Sequence, residues 1–229
     1  MKLITVAGPP SSGKTSVILK TLETMAMPCD WVGVVKFDSL TSFDHLRYAD
    51  AGIEVRTGFA GKTCPDHFFV SNIEAAVQWA QKHRFEYLIT ESAGLCNRCS
   101  PYINGILSVC VIDNLSGVNT PRKIGPMLKY ADVVVVTKGD IVSQAEREVF
   151  AFNIREVNAK AAILFINGIT GQGTFHLAKY FREAMEIDTL KDRKLRFTMP
   201  AAVCSYCTGE TRIGEPYRMG MLRAMEFDE

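Results

Sequence analysis

The run Gly8-Pro9-Pro10-Ser11-Ser12-Gly13-Lys14-Thr15 places two glycines around a short loop and follows them with a lysine and a hydroxyl residue. It comes directly after the apolar stretch Leu3-Ile4-Thr5-Val6-Ala7 and opens the helix-forming stretch Ser16-Val17-Ile18-Leu19. Backbone N–H groups in a glycine-rich turn between strand and helix point inward and form an anion nest at the helix N-terminus. Lys14 can reach the outer phosphates of a nucleotide there, and the Thr15 hydroxyl can hold Mg²⁺. Gly8, Ser11, Ser12, Gly13, Lys14, Thr15 and Ser16 are read as a phosphate-binding set, with a nucleoside triphosphate as ligand.

Two further stretches agree. Thr137-Lys138-Gly139-Asp140 follows the apolar run Val133-Val134-Val135-Val136. A carboxylate at the Asp140 position can accept two hydrogen bonds from the paired N–H groups of guanine, while the lysine stem covers the ring face. Adenine lacks that donor edge and would leave the aspartate unpaired, a costly state in a closed site. Asn167 and Gly168, after the last apolar strand, are placed to back the base. The third stretch is Leu88-Ile89-Thr90-Glu91-Ser92-Ala93-Gly94, an apolar strand with an acid at its end and a glycine three residues later. Glu91 is expected on Mg²⁺ and the Gly94 N–H on the γ-phosphate, with Asp38 as a second Mg²⁺ carboxylate beside Thr15. Lys14, Asp38 and Glu91 form the expected catalytic set.

Cysteines carry the remaining chemistry. There are seven, at 29, 64, 96, 99, 110, 204 and 207. Cys96-Asn97-Arg98-Cys99 and Cys204-Ser205-Tyr206-Cys207 are two Cys-x-x-Cys pairs. In a reducing compartment two such pairs point to a tetrathiolate site for Zn²⁺ or an iron–sulfur cluster, with burial as small apolar side chains the alternative. The pairs are far apart in sequence, so the tail would have to fold over the Gly94 loop. Cys29 and Cys110 read as structural.

Apolar strands are expected at 3–7, 32–37, 53–57, 87–91, 107–113, 132–137 and 162–167. Helical periods lie near 14–26, 41–50, 71–83, 121–130, 143–157 and 173–187. This alternation predicts an α/β fold of the P-loop NTPase type, a mostly parallel sheet with helices on both faces. The rhythm stops in a charged stretch, which divides a nucleotide domain at 1–190 from a short cysteine-containing C-terminal extension at 191–229. Apolar residues at 47% and charged residues at 22% are ordinary for a globular chain, and a net charge of +1 predicts no nucleic-acid partner. No run approaches membrane-spanning length, and Met1-Lys2-Leu3-Ile4 leads straight into a strand without a cleavable signal. A cytoplasmic protein with reduced thiols is expected.

Taken in order, these residues resemble the nickel-insertion GTPases, a family of urease accessory, hydrogenase maturation and cobalamin-synthesis-type proteins. The resemblance rests on Glu91-Ser92-Ala93-Gly94, on Asp38-Ser39-Leu40-Thr41, and on the stretch from Val111 through Pro121-Arg122-Lys123 to Lys138. It implies a slow Mg²⁺-dependent GTPase, a nucleotide- or metal-dependent homodimer, and delivery of a metal to an apo-metalloenzyme client or another maturation protein. It also draws Cys64-Pro65-Asp66-His67 into the site, because the urease accessory protein has a Cys-Pro-His metal motif in this region, here with one residue inserted before the histidine. Cys64 and His67 are thereby implied as ligands for Ni²⁺ or Zn²⁺, two from each chain of a dimer, with a loop cysteine beside a surface histidine as the alternative. The competing functional readings are a P-loop ATPase driving reductive activation of a corrinoid or iron–sulfur protein, a nucleotide-gated switch without turnover, and, more remotely, a small-molecule kinase.

Overall fold

Lys2–Gly8, Val32–Asp38, Glu54–Phe59, Tyr87–Ala93, Leu107–Asp113, Val133–Thr137 and Ala162–Phe165 form β1 to β7. The computed structural model describes residues 1–40, 43–61, 64–94, 99–198, 209–220 and 224–227. All seven strands join one parallel sheet in the order β3-β2-β4-β1-β5-β6-β7. On one side of β1 the strands follow in sequence as β5, β6 and β7; on the other, β4 is inserted between β1 and the pair β2-β3, so the carboxyl ends of β1 and β4 lie side by side.

Helices α1 (Lys14–Met25), α2 (Asp44–Asp50), α3 (Pro65–Lys82), α4 (Thr120–Ile124), α5 (Pro126–Lys129), α6 (Gln144–Val157) and α7 (Thr174–Glu183) cover the sheet. Strands buried on both faces read as apolar runs, and period two sorts their residues between the faces. Ile4, Val6, Val34 and Ile89 pack with α1 and α7, whereas Leu3, Val35, Phe37 and Leu88 pack with α3.

Three helix boundaries differ most from the sequence reading. The helix expected at 71–83 starts at Pro65, because proline is favoured in a first helical turn and Asp66 suits the positive helix end. The helix expected at 121–130 is broken at Gly125, whose φ of 64° and ψ of −131° cannot continue a helix. The last helix ends at Glu183 rather than 187, and Ile187 N–H instead reaches Met1 O at 2.8 Å. Beyond it, described residues of the C-terminal segment lie on α3. Arg218 Nη1 donates to Ser71 O at 2.8 Å, Met225 N to Asn72 Oδ1 at 2.7 Å, and the rings of Phe227 and Trp79 are 6.0 Å apart.

Candidate nucleotide site and adjoining metal centre

A cleft of about 680 Å³ opens over the carboxyl ends of the strands. The loop after β1 forms its floor, with Ser11 and Gly13 both left-handed at φ 60° and 90°. Gly13 leads directly into α1, so the first N–H groups of that helix face the cleft. Ser11, Gly13, Lys14, Thr15 and Ser16 all line it. Gly8 and Ser12 lie behind the lining: a Cβ on Gly8 would sit 2.1 Å from Val111 O, and Ser12 is fully buried. Lys14 Nζ donates to Gly8 O at 3.0 Å and Pro9 O at 2.9 Å, and burial holds its pKa below the usual lysine value. Gly94 N–H donates to Gly8 O at 3.1 Å, tying the end of β4 to this loop. Any side chain at Gly94 would collide with Met127 Cε.

On one wall stands the expected Mg²⁺ set. Thr15 Oγ1 donates to the Glu91 carboxylate, 3.0 Å from each oxygen. Three residues that sequence reasoning missed complete the cluster. Tyr48 OH donates to Glu91 Oε2 at 2.7 Å. Lys36 Nζ lies 2.8 Å from Glu91 Oε1, 3.0 Å from Asp44 Oδ2 and 3.4 Å from Asp38 Oδ2. Burial alone would lower the Lys36 pKa, but Glu91 and Asp44 carry it above the ordinary lysine value. Burial, then Glu91, pushes the Tyr48 hydroxyl well above the ordinary tyrosine range, so it stays a donor. A lysine inside an otherwise apolar strand was the available signal, since a buried ammonium requires partners. Oxygen donors from Thr15, Asp38 and Glu91 suit Mg²⁺, and the Lys36 ammonium already stands among them as a cation.

The opposite wall is the base end. Thr137 Oγ1 donates to Ser12 O at 2.7 Å and Lys138 Nζ to Ser11 O at 2.9 Å, joining the two nucleotide loops. Lys138, Asp140, Asn167 and Gly168 line the cleft together. Asn167 Oδ1 accepts from Ile169 N at 2.9 Å and Thr170 N at 3.0 Å, which shapes the loop behind the base position. Gly168 packs so closely on α1 that a Cβ would lie 3.0 Å from Ser16 Cβ.

A separate cluster lies across the sheet. Cys64 caps the N-terminus of α3 and His67 falls in its first turn, buried at 7% exposure. Their ligand atoms and the Cys99 thiol all lie within 4.8 Å of one another. Two sulfurs and one imidazole nitrogen suit Zn²⁺ or Ni²⁺. Cys99 was expected in a tetrathiolate with Cys96, Cys204 and Cys207; those three lie outside the described residues, and Cys99 instead meets Cys64 and His67. No spacing rule pairs residues separated by a whole helix and a strand. Asp66, fully buried between the two α3 ligands, accepts from Ser92 Oγ at 2.8 Å. Cys110 is buried in β5 as expected, and burial pushes its thiol up to about 12, whereas Cys29 is exposed and donates to Ala51 O at 3.2 Å.

A parallel sheet with a glycine-rich loop feeding α1, Thr15 beside a strand-end carboxylate, and a second loop carrying Asp140 define a P-loop nucleotide-binding protein. The chain matches the family model CobW/HypB/UreG, nucleotide-binding domain, over residues 2–165, and belongs to that family of P-loop GTPases. It is 46% identical over 226 residues to an uncharacterized protein of Methanocaldococcus jannaschii, an alignment covering 99% of this chain and 97% of the relative. The hydrogenase maturation factor HypB of Archaeoglobus fulgidus shares its fold with a TM-score of 0.62 at 19% identity, over 80% of this chain and 89% of that one. HypB of Helicobacter pylori, solved in complex with nickel, gives a TM-score of 0.63 at 18% identity, over 82% and 91%. At that identity the two structures speak to the fold alone. No helix among the described residues is long and apolar enough to cross a membrane.

Proposed function

We propose that this chain is a Mg²⁺-dependent GTPase metallochaperone that carries Ni²⁺ or Zn²⁺ to a client metalloenzyme. The observation that carries this reading is the placement of two adjacent residues. Glu91 and Ser92 project to opposite faces of β4, the first into the nucleotide cleft and the second onto Asp66, between Cys64 and His67. One strand end thus touches both clusters, and a displacement on one side must be felt on the other.

In this reading Asp140 selects guanine, Lys138 and Asn167 shape the base pocket, and the loop at 8–15 with Lys14 binds the phosphates. Thr15, Asp38 and Glu91 would hold Mg²⁺, which supplies charge neutralisation at the phosphates. Phosphoryl transfer depends mainly on positioning and charge neutralisation, and slow intrinsic turnover is expected. Cys64, His67 and Cys99 supply three protein donors, a number typical of sites with one position open to another ligand and suited to an ion that must leave. A cytoplasmic homodimer working with a maturation partner fits this role, with residues 191–229 an appendage of the nucleotide domain.

The test uses protein purified without oxygen. GTP should displace a fluorescent GDP at least about a hundredfold better than ATP, the discrimination expected when a base covers the Asp140 carboxylate and leaves it unpaired. Metal analysis should find one Ni²⁺ or Zn²⁺ site lost in Cys64→Ser and in Cys99→Ser. Equal displacement by ATP would overturn the GTPase reading and favour the ATPase alternative.

A further inference from the structure

Lys36 sits on β2 at the register position facing Glu91 on β4. Asp38, two residues on, shares its face of the strand. The Lys36 side chain is 2% exposed, and its nitrogen is held by Glu91, Asp44 and Asp38 together. Glu91 Oε1 is the oxygen it approaches most closely, and Thr15 Oγ1 donates to that same atom. One carboxylate balances one ammonium, yet three stand around Lys36, with Lys14 the other lysine that acts on them. Three carboxylates against two lysines leave the cluster an excess of negative charge. A divalent ion held by Thr15 and Glu91 would share the Glu91 carboxylate with the ammonium, and two cations on one carboxylate repel. Lys36 in its present position and Mg²⁺ compete for Glu91.

We propose that Lys36 is a built-in competitor for the divalent cation. Its ammonium holds the Mg²⁺ position in the nucleotide-free chain and yields to the ion once phosphates are bound beside it. Yielding leaves the ammonium only Asp44, whose side chain is 42% exposed, so a further anion beside it favours the exchange. The incoming phosphates are anions that reach this closed wall, beside Lys14. Mg²⁺ is thereby admitted together with a nucleotide and kept out without one. This inference rests on the cleft being a Mg²⁺-nucleotide site, and is independent of which base or which transported metal is bound.

Mn²⁺ alone, followed by its electron paramagnetic resonance signal, is the probe. In nucleotide-free protein, Lys36→Met should bind Mn²⁺ at this cluster at least about tenfold more tightly than wild type, a minimum for removing a like charge so near. Lys36→Arg should resemble wild type. Adding GDP should close most of the gap, by raising wild-type affinity. Equal Mn²⁺ affinity of folded Lys36→Met and wild type without nucleotide overturns the proposal. Because Lys36→Met strands three carboxylates, a wild-type measurement stands beside it. The Lys36 ε-methylene resonance, identified by its loss in Lys36→Arg, should move with GDP plus Mg²⁺ and stay in place with GDP plus chelator. A resonance that ignores Mg²⁺ contradicts the exchange. Failure of fluorescent GDP to bind at all would instead strike the nucleotide reading, and the Mn²⁺ comparison would still decide the lysine.

Discussion

Lys36 and Glu91 are registered neighbours on β2 and β4, each almost wholly buried, with Nζ 2.8 Å from Oε1. This pair converts the end of an apolar sheet into a charged wall of the cleft. Thr15 and Tyr48 satisfy the remaining glutamate lone pairs at 3.0 and 2.7 Å, so the carboxylate is fixed before any nucleotide arrives. Preorganised charge of this kind is what phosphoryl transfer draws on.

Glu91→Gln and Asp38→Ala should each abolish phosphate release while leaving GDP affinity within about threefold of wild type, since their role is toward Mg²⁺. Glu91→Ala should in addition destabilise the fold by about 1–3 kcal/mol in urea, because the buried Tyr48 hydroxyl loses its acceptor while Asp44 and Asp38 still hold Lys36. The Asp38 contact is longer at 3.4 Å and its side chain is 17% exposed, so its stability cost should be much smaller. Normal turnover in either variant would show that the metal shell has been assigned to the wrong residues.

Asp140→Asn should lower GTP affinity by about 2–3 kcal/mol and raise that for xanthosine triphosphate. The asparagine amide offers a donor where the carboxylate offered only acceptors, and xanthine offers the matching carbonyl. Competition against a fluorescent GDP measures both, and an unchanged GTP preference would remove Asp140 from the base site.

The buried thiol of Cys110 gives a pH dependence. Its pKa rises on folding from 9.0 to about 12. A group raised on folding contributes stability fully below its unfolded value and loses it as pH climbs to the folded one. Stability should therefore fall between pH 9 and about 12, by up to about 1.4 kcal/mol per unit for one proton. Tyr48, also raised, acts in the same direction. Urea midpoints across that window should flatten in Cys110→Ala; an unaltered slope would mean that other groups govern the alkaline limb.

Much of this was legible in the residues. Runs such as Val133-Val134-Val135-Val136 can only be strands buried on both faces, and the loop at 8–15 announces its ligand because short spacing fixes its geometry. The misses are contacts between distant segments. Lys36 acquires a role only when β2 is set in register with β4, and Tyr48 only when α2 folds across α1. Cys99 reads as half of a Cys-x-x-Cys pair until the loop after β4 lays it against α3. His67 passes for a loop histidine until Pro65 starts the helix early and buries it.

If the nucleotide and the transition metal act on one another through β4, metal affinity must depend on the bound nucleotide. Ni²⁺ or Zn²⁺ affinity, read by competition with a chromophoric chelator, should differ by about 5–150-fold between protein saturated with Mg²⁺ and a non-hydrolysable GTP analogue and protein with Mg²⁺-GDP. Ser92→Ala, which removes the 2.8 Å bond to Asp66 while sparing all three ligands, should shrink that difference. Metal affinity that is identical in both nucleotide states would contradict the account.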